Sequence, residues 1–271
     1  MMQPVPDVFL ALRDVAISFA GHHVLQGIDL DVYSGEILSI LGQSGSGKSV
    51  LLKIMVGLLQ PDRGTIVFEG QHVETMRTKE LTRHRLKVGM VFQSSALFDS
   101  MSVGDNVAYG LREHYTGKMP KSEMAERVAW ALKAVGLAGI EAMDPAELSG
   151  GMRKRVGIAR TIALQPKTIL YDDPTAGLDP INAARIGRLV GKLRERLGIT
   201  SVVVTQDLDT AFRFSDRLAL IDSGKIAEAG TPEAMNASSN KVVRDFLTGF
   251  APAEGKMGEV RVELRSAPKR A

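Results

Sequence analysis

The chain has 271 residues, 44% of them hydrophobic and 24% charged, with a formal net charge of +3 and no cysteine. That length can carry a large core or two subdomains, and the missing cysteine excludes disulfides and thiolate metal sites. The mild basic excess comes with only 5% aromatics and no basic, aromatic-lined face, so nucleic acid is not an expected partner.

The opening, "MMQPVPDVFLALRD", has no basic segment leading into an apolar core, and no signal peptide is expected. No apolar run reaches the roughly 18 residues of a spanning helix; the richest, "SVLLKIMVGLL", is short and carries Lys53. "VFLALRDVAISFA" and "HHVLQGIDLDVYSG" read as strands of an N-terminal sheet, and "EILSIL" as a buried strand. "KSVLLKIMVGLL" has helical spacing, "PDRG" marks a turn, "TIVFEG" a strand, "TKELTRHRL" a polar helix and "VGMVF" another strand. Residues 94–164 then read as all-α, with helices at "KSEMAERVAWALKAVGLAG" and "GGMRKRVGIARTIAL". Val128, Ala131, Leu132 and Val135 form one apolar stripe there.

Strand and helix then alternate through "TILYD", "INAARIGRLVGKLRERLG", "TSVVVT" and "LDTAFRFS", which argues for a mostly parallel sheet covered by helices. Ile186, Leu189, Val190, Leu193 and Leu197 are expected on one buried helix face. "LALIDSGKIAEAGTP" reads as a hairpin turning at Ser223 and Gly224, and "KVVRDFLTGF" as a last amphipathic helix. Beyond residue 250 the composition predicts a mobile tail, where Lys256, Arg261, Arg265, Lys269 and Arg270 read as solvated charges.

"GQSGSGKS" fits the phosphate-binding pattern G-x-x-x-x-G-K-[ST], between an apolar strand and a helix. Its glycines let backbone N–H groups turn toward phosphate, and the helix N-terminus adds positive potential. Lys48 is expected to reach the β- and γ-phosphates of ATP, and Ser49 to ligate Mg²⁺. Asp172 closes the run "TILY" at the carboxyl end of a parallel strand, where such sheets hold their ligands. It suits Mg²⁺; an N-cap for the next helix is the other reading of the same residue.

At "LSGGMRKRV" the chain resembles the signature motif of the ATP-binding cassette (ABC) ATPases. The family's other motifs follow in order: the phosphate loop, "VFQS" with Gln93, the signature, the strand ending at Asp172, "AGLD" ending at Asp179, and "VVTQD". The resemblance implies an α/β P-loop ABC fold with a mostly parallel core. That core and an N-terminal antiparallel β subdomain would occupy residues 1–93 and 165–250. A helical subdomain is inserted at 94–164, and the tail is 251–271. It implies that Phe19 stacks on adenine, although an isolated Phe there reads as core. It implies that Gly42, Gln43, Ser44, Gly45, Ser46, Gly47, Lys48, Ser49 and Val50 bind ATP, and that Ser49, Gln93 and Asp172 hold Mg²⁺. Ser149, Gly150 and Gly151 would serve the ATP of a second copy in a head-to-tail dimer, with Asp179 in the D-loop, because each chain carries one half-site of each kind.

A narrower resemblance lies in "FQSSALFDSMSVGDNVAY", in "VVRDFLTGF", and in Met152 where most members have Gln. These are similar to the phospholipid-transport (MlaF-type) ATPases, although Met152 alone also fits drift at a tolerant position. The implied partners are a membrane permease, an MCE lipid-binding protein and a small STAS-type subunit, on the cytoplasmic face of the bacterial inner membrane. An importer ATPase for amino acids or another small solute is the alternative. Soluble members acting in translation or DNA repair carry two cassettes or a long coiled coil, which this chain lacks. "SSALFDSM" suits a groove for permease helices, or core packing, and Arg153, Lys154 and Arg155 read as a solvated face.

Two catalytic positions depart from the family pattern. Asp173 stands where Glu is usual, and Gln206 where His is usual. Asp173 keeps the charge of a base but lacks one methylene, and a base must come within about 2.6–3.2 Å of its proton or act through a water. Gln206 can orient water without carrying charge. Slowed hydrolysis is the expectation, with a nucleotide-gated subunit of very low turnover as its extreme form.

Overall fold

The structure, a computed structural model, describes residues 7–249. β1 (Val8–Phe19) and β2 (His22–Tyr33) form an antiparallel hairpin, irregular between Leu12 and Val15, whose residues Leu10, Leu12, Val15, Leu25, Ile28 and Val32 are buried. β3 (Ile37–Leu41) runs through a glycine-rich loop into α1 (Lys48–Met55). β4 (Arg63–Phe68) and the short β5 (Gln71–His72) return to the first sheet, whose order is β2-β1-β4-β5. α2 (Thr78–Lys87) leads to β6 (Val88–Val91), then come α3 (Val103–Tyr115), α4 (Lys121–Ala134) and α5 (Gly150–Ile162). The chain goes on through β7 (Thr168–Asp172), α6 (Pro180–Leu197), β8 (Thr200–Val204), α7 (Leu208–Phe214) and β9 (Arg217–Asp222). β10 (Lys225–Gly230), α8 (Pro232–Asn236) and α9 (Lys241–Gly249) complete it.

The second sheet has the order β10-β9-β3-β8-β7-β6. β9, β3, β8, β7 and β6 are parallel, and β10 pairs antiparallel with β9. β3, β7 and β8 are buried along their whole length, because helices cover one face and α1 with the first sheet covers the other. On one face, Leu38, Ile40, Leu170, Val202 and Val204 share a core with α1 and the first sheet. On the other, Ile37, Ile169, Tyr171 and Val203 meet α3, α4, α5 and α6. The expected stripe of Val128, Ala131, Leu132 and Val135 is in that core.

Three details differ from the sequence reading. Arg63 and Gly64 belong to β4 rather than to a turn. Leu197 is 39% exposed, because α6 ends there at a left-handed Gly198. α3 is a further separate helix within the all-α stretch, and Ser102 and Asp105 carry its capping signal: the Ser102 hydroxyl accepts from the Asp105 N–H at 3.1 Å. Phe250 and the tail lie outside the described residues.

Asn106 on α3 is fully buried and fixes the loop before it. Its Oδ1 accepts from the Phe98 N–H at 2.8 Å, and its Nδ2 donates to the carbonyls of Phe98 and Met101 at 3.0 and 3.1 Å. Asn106→Ala strands these groups and is expected to cost about 2 kcal/mol, lowering the thermal midpoint by roughly 4–8 °C. Calorimetry checks this; an unchanged midpoint contradicts it.

Candidate functional site

The loop between β3 and α1 is shaped by close backbone approach. Gly47 is left-handed (φ 96°) and caps α1 without a side chain. A Cβ there would lie 2.7 Å from Leu25 Cδ2 and 3.2 Å from the Val24 carbonyl oxygen. The first N–H groups of α1 therefore have no side-chain cap in front of them, as an anion site requires. Lys48 is buried and curls back, its Nζ donating to the carbonyls of Gly42 and Gln43 at 2.8 and 2.7 Å. Burial pushes its ammonium pKa down, while Asp173 and Asp172 oppose this. Gln43, Ser44 and Gly45 are exposed, and Ser46 and Val50 half-buried.

Ser49 Oγ donates to Asp172 Oδ1 at 2.7 Å. Asp172 is buried, at the carboxyl end of β7. The cap of α6 is not Asp172 but Asp179, whose carboxylate accepts from the N–H groups of Ile181 and Asn182 at 3.0 Å. Among the described residues no cluster of three or more His, Cys, Asp or Glu could hold a metal by itself. A hydroxyl, one carboxylate and phosphate oxygens form an oxygen set of the kind Mg²⁺ takes, with water completing its shell. Gln93 is exposed, two residues beyond Val91, and Val91 pairs with Tyr171, so it lies at the same strand-end edge as Asp172.

Asp173 has a left-handed backbone (φ 44°). Its N–H donates to the Val204 carbonyl at 2.8 Å, and Thr205 Oγ1 donates weakly to its carboxylate at 3.4 Å. Burial pushes its pKa up; the Thr205 hydroxyl and Lys154 pull it down, Asp172 adds to the rise, and Lys48 opposes it. Asp173 and the exposed Gln206 line one cleft of about 400 Å³, together with Thr175, Leu178 and Arg213. Phe19 is 44% exposed at the tip of the β1–β2 hairpin, whose Val24 and Leu25 abut Gly47.

Ser149 caps α5, its hydroxyl accepting from the Met152 N–H at 3.3 Å. Cβ atoms on Gly150 and Gly151 would lie 3.9 Å from Leu178 and 3.5 Å from Asn182. The signature thus sits against the start of α6, beside Asp179. Arg153, Lys154 and Arg155 are not a uniform solvated face. Successive helix residues turn by about 100°, so Arg153 is exposed while Lys154 turns inward, 8% exposed, and donates to the Gln93 carbonyl. Sequence reasoning missed this contact and the part played by Thr205; the adjacency of Thr205 and Gln206 was its only signal.

The chain is similar to known proteins along most of its length. Residues 25–176 match the family model described as ABC transporter. The intermembrane phospholipid transport system ATP-binding protein MlaF of Escherichia coli K12 is 39% identical over 240 residues, 89% of this chain and 88% of that one. The probable ribonucleotide transport ATP-binding protein mkl of Mycobacterium leprae is 37% identical, over 97% of this chain and 76% of that one. A dimeric ATP-binding cassette in a post-hydrolysis state with ADP and Pi superposes with a TM-score of 0.75 at 33% identity, covering 82% of this chain and 98% of that one.

Gly47→Ala forces a left-handed alanine against Leu25 and Val24. It is expected to weaken ATP binding at least about tenfold with circular dichroism unchanged, as read by titration with a fluorescent ATP analogue.

Proposed function

The chain belongs to the ABC transporter family of ATP-binding subunits, and within that family we propose that it powers the movement of phospholipid between membranes. It binds ATP with Mg²⁺ and hydrolyses ATP to ADP and phosphate in a transport cycle. The observation that carries the lipid reading is the likeness to the E. coli phospholipid-transport subunit along nearly the whole of both chains. The mycobacterial relative is named for ribonucleotide transport, so the substrate is what the experiment must separate.

The site supports these roles. Residues 42–50 cradle the phosphates, Lys48 supplies a charge among them, and Phe19 takes the adenine face. Ser49 and Asp172, already bonded to each other, hold Mg²⁺ with Gln93 alongside. Mg²⁺ bound there would offset phosphate charge. Asp173 orients and polarises the attacking water, and Gln206, just beyond the end of the adjacent strand β8, orients it further.

Two copies pair head to tail, with Ser149, Gly150 and Gly151 of one facing Lys48 of the other and Asp179 at the seam. The dimeric cassette with the same fold supports this pairing. Residues 94–164 act as a helical subdomain inserted into a core of 1–93 and 165–250. Phe92, Phe98 and Tyr109, each more than a third exposed, offer a seat for a membrane permease. Phe98 and Tyr109 pack ring to ring at 4.8 Å. Among the described residues no helix is long and apolar enough to cross a membrane, which suits a subunit held peripherally at the cytoplasmic face of the inner membrane. An MCE lipid-binding protein and a STAS-type subunit complete the proposed assembly.

Reconstituted with its co-purifying permease, the complex is expected to move fluorescent phospholipid only with ATP, and neither ribonucleotides nor amino acids. ATP-driven uptake of a small solute with no lipid movement contradicts the lipid reading. Asp173→Asn is expected to lower turnover at least about a hundredfold, and Asp173→Glu and Gln206→His each to raise it. Their gains will not multiply, because both side chains act on one water. Wild-type phosphate release by Asp173→Asn removes Asp173 from the role of base.

A further inference from the structure

α2 turns a polar stripe toward a cleft. Glu80, Arg83, His84 and Lys87 are spaced i, i+3, i+4 and i+7, which places them on one side of the helix. All four line a cleft of about 730 Å³, a volume within the range of small-ligand sites. Gln71 in β5, Thr75 in the 3-10 turn Val73–Thr75 and Phe68 at the end of β4 line it as well. The cleft is separate from the ATP site. Lys87 directly precedes β6, so the cleft lies toward the amino end of that strand, whereas Asp172 and Gln93 stand at carboxyl ends.

The charges on α2 are poorly placed for a helix left to itself. Arg77 occupies the N-cap, where an acceptor is preferred and the helix dipole disfavours a cation. Arg83 and Lys87 are four residues apart, a repulsive spacing for like charges. Three cations, Arg77, Arg83 and Lys87, line the cleft against one carboxylate, Glu80, which accepts the Arg77 N–H at 2.8 Å. Lys87 pairs with Glu69 at 2.8 Å, and His72 with Glu74 at 2.9 Å. Among the described residues Arg77 and Arg83 have no acidic partner.

His84 is a second, independent observation. It is 2% exposed, and its ring packs edge-on against Phe68 with centroids 4.8 Å apart. Its Nε2 lies 3.0 Å from the Met55 carbonyl oxygen, which can only accept, so Nε2 carries the proton. Burial pushes the ring pKa down and keeps it neutral, which leaves Nδ1 as an acceptor. That Nδ1 is buried without a partner, a costly state for a polar atom. A Cβ on Gly57 would lie 3.9 Å from His84 Cδ2. The Cδ2 edge therefore faces the end of α1, and the Nδ1 edge turns to the other side, toward the cleft.

We propose that this cleft is a second ligand site, which binds a phosphate ester that also carries a hydroxyl, of the phosphoglycerol type. Arg77 and Arg83 offer planar guanidinium forks, whose paired N–H groups match phosphate oxygens. The bound anion offsets the repulsion along α2, and the hydroxyl gives His84 Nδ1 the donor it lacks. The same group occurs free in solution and as the head of a phospholipid, and the experiment separates the two sources.

Isothermal titration of the full chain with glycerol 3-phosphate, in saturating ADP and Mg²⁺, is expected to show one saturable site. Inorganic phosphate, which lacks the hydroxyl, should bind about fivefold more weakly. Arg77→Gln and Arg83→Gln should each weaken binding of the ester at least about tenfold, through loss of charge-assisted hydrogen bonds. Both should bind a fluorescent ATP analogue as wild type does. Lys118→Gln, which removes an exposed charge on the loop after α3, should change neither titration. Flotation with phosphatidylglycerol vesicles, competed away by glycerol 3-phosphate, assigns the ligand to a lipid headgroup. Binding of the free ester without flotation assigns it to a soluble molecule. Absence of binding in both arms overturns the proposal. So does binding that ADP abolishes, which belongs to the glycine-rich loop, or a loss in Lys118→Gln equal to that in the arginine variants, which marks general charge. Equal affinity for phosphate and ester overturns the assignment of a hydroxyl-bearing ligand.

Discussion

The hydrogen bond from Ser49 Oγ to Asp172 Oδ1 spans a gap that the sheet order creates. Ser49 follows β3 and Asp172 ends β7, yet β8 lies between those strands. The bond therefore crosses over the carboxyl end of β8, whose next residues are Thr205 and Gln206. The glycine-rich loop, Asp172, Asp173, Gln206 and Gln93 all follow the carboxyl ends of parallel strands in one sheet. Their spacing is set by the interstrand distance of about 4.8 Å. That spacing is rigid because β3, β7 and β8 are buried on both faces. A mobile sheet could not hold a hydroxyl, a carboxylate and an amide at fixed separations.

One strained residue, Asp173, lies at this edge, and the neighbouring structure holds it. The left-handed Asp173 is held by its N–H bond to Val204. The backbone also bears on why a shorter acid stands here. Asp and Asn enter the left-handed region more readily than longer side chains, because the short polar group bonds locally. Glu would gain reach and lose that local ease. The missing methylene and the backbone conformation are thus two sides of one local compromise, with Thr205 and Lys154 stabilising the carboxylate in place.

α5 gathers three tasks into one stretch. Its first turn is nearly bare backbone. Its buried face, with Val156, Ile158, Ala159 and Ile162, joins the helical core. A third row, Lys154, Gly157 and Arg160, lies against the loop after β6. Because the core residues fix the helix's rotation about its axis, the polar row has no freedom to turn to solvent. Packing thereby decides which of three consecutive basic residues goes inward.

The sequence by itself determined most of the element order, the glycine-rich loop between β3 and α1 and the identity of the residues at strand ends. Those signals are local: apolar periodicity, glycine placement and fixed motif spacing need no knowledge of the partner across the fold. It also carried both departures, Asp173 and Gln206, since an identity is read directly. What it left open were contacts between distant segments. The sequence did not say that Asp179 rather than Asp172 caps α6, or that the sheet brings Ser49 to Asp172 across 123 positions. Lys154 read as solvated, because the phase of a helix against a loop 61 positions earlier is not written in its own neighbours. Leu197 read as core, because periodicity does not say where a helix stops. The tertiary structure decided these points for one physical reason. Hydrogen-bond partners and burial are set by which surfaces meet, and that depends on the packing of the whole chain rather than on any window of it.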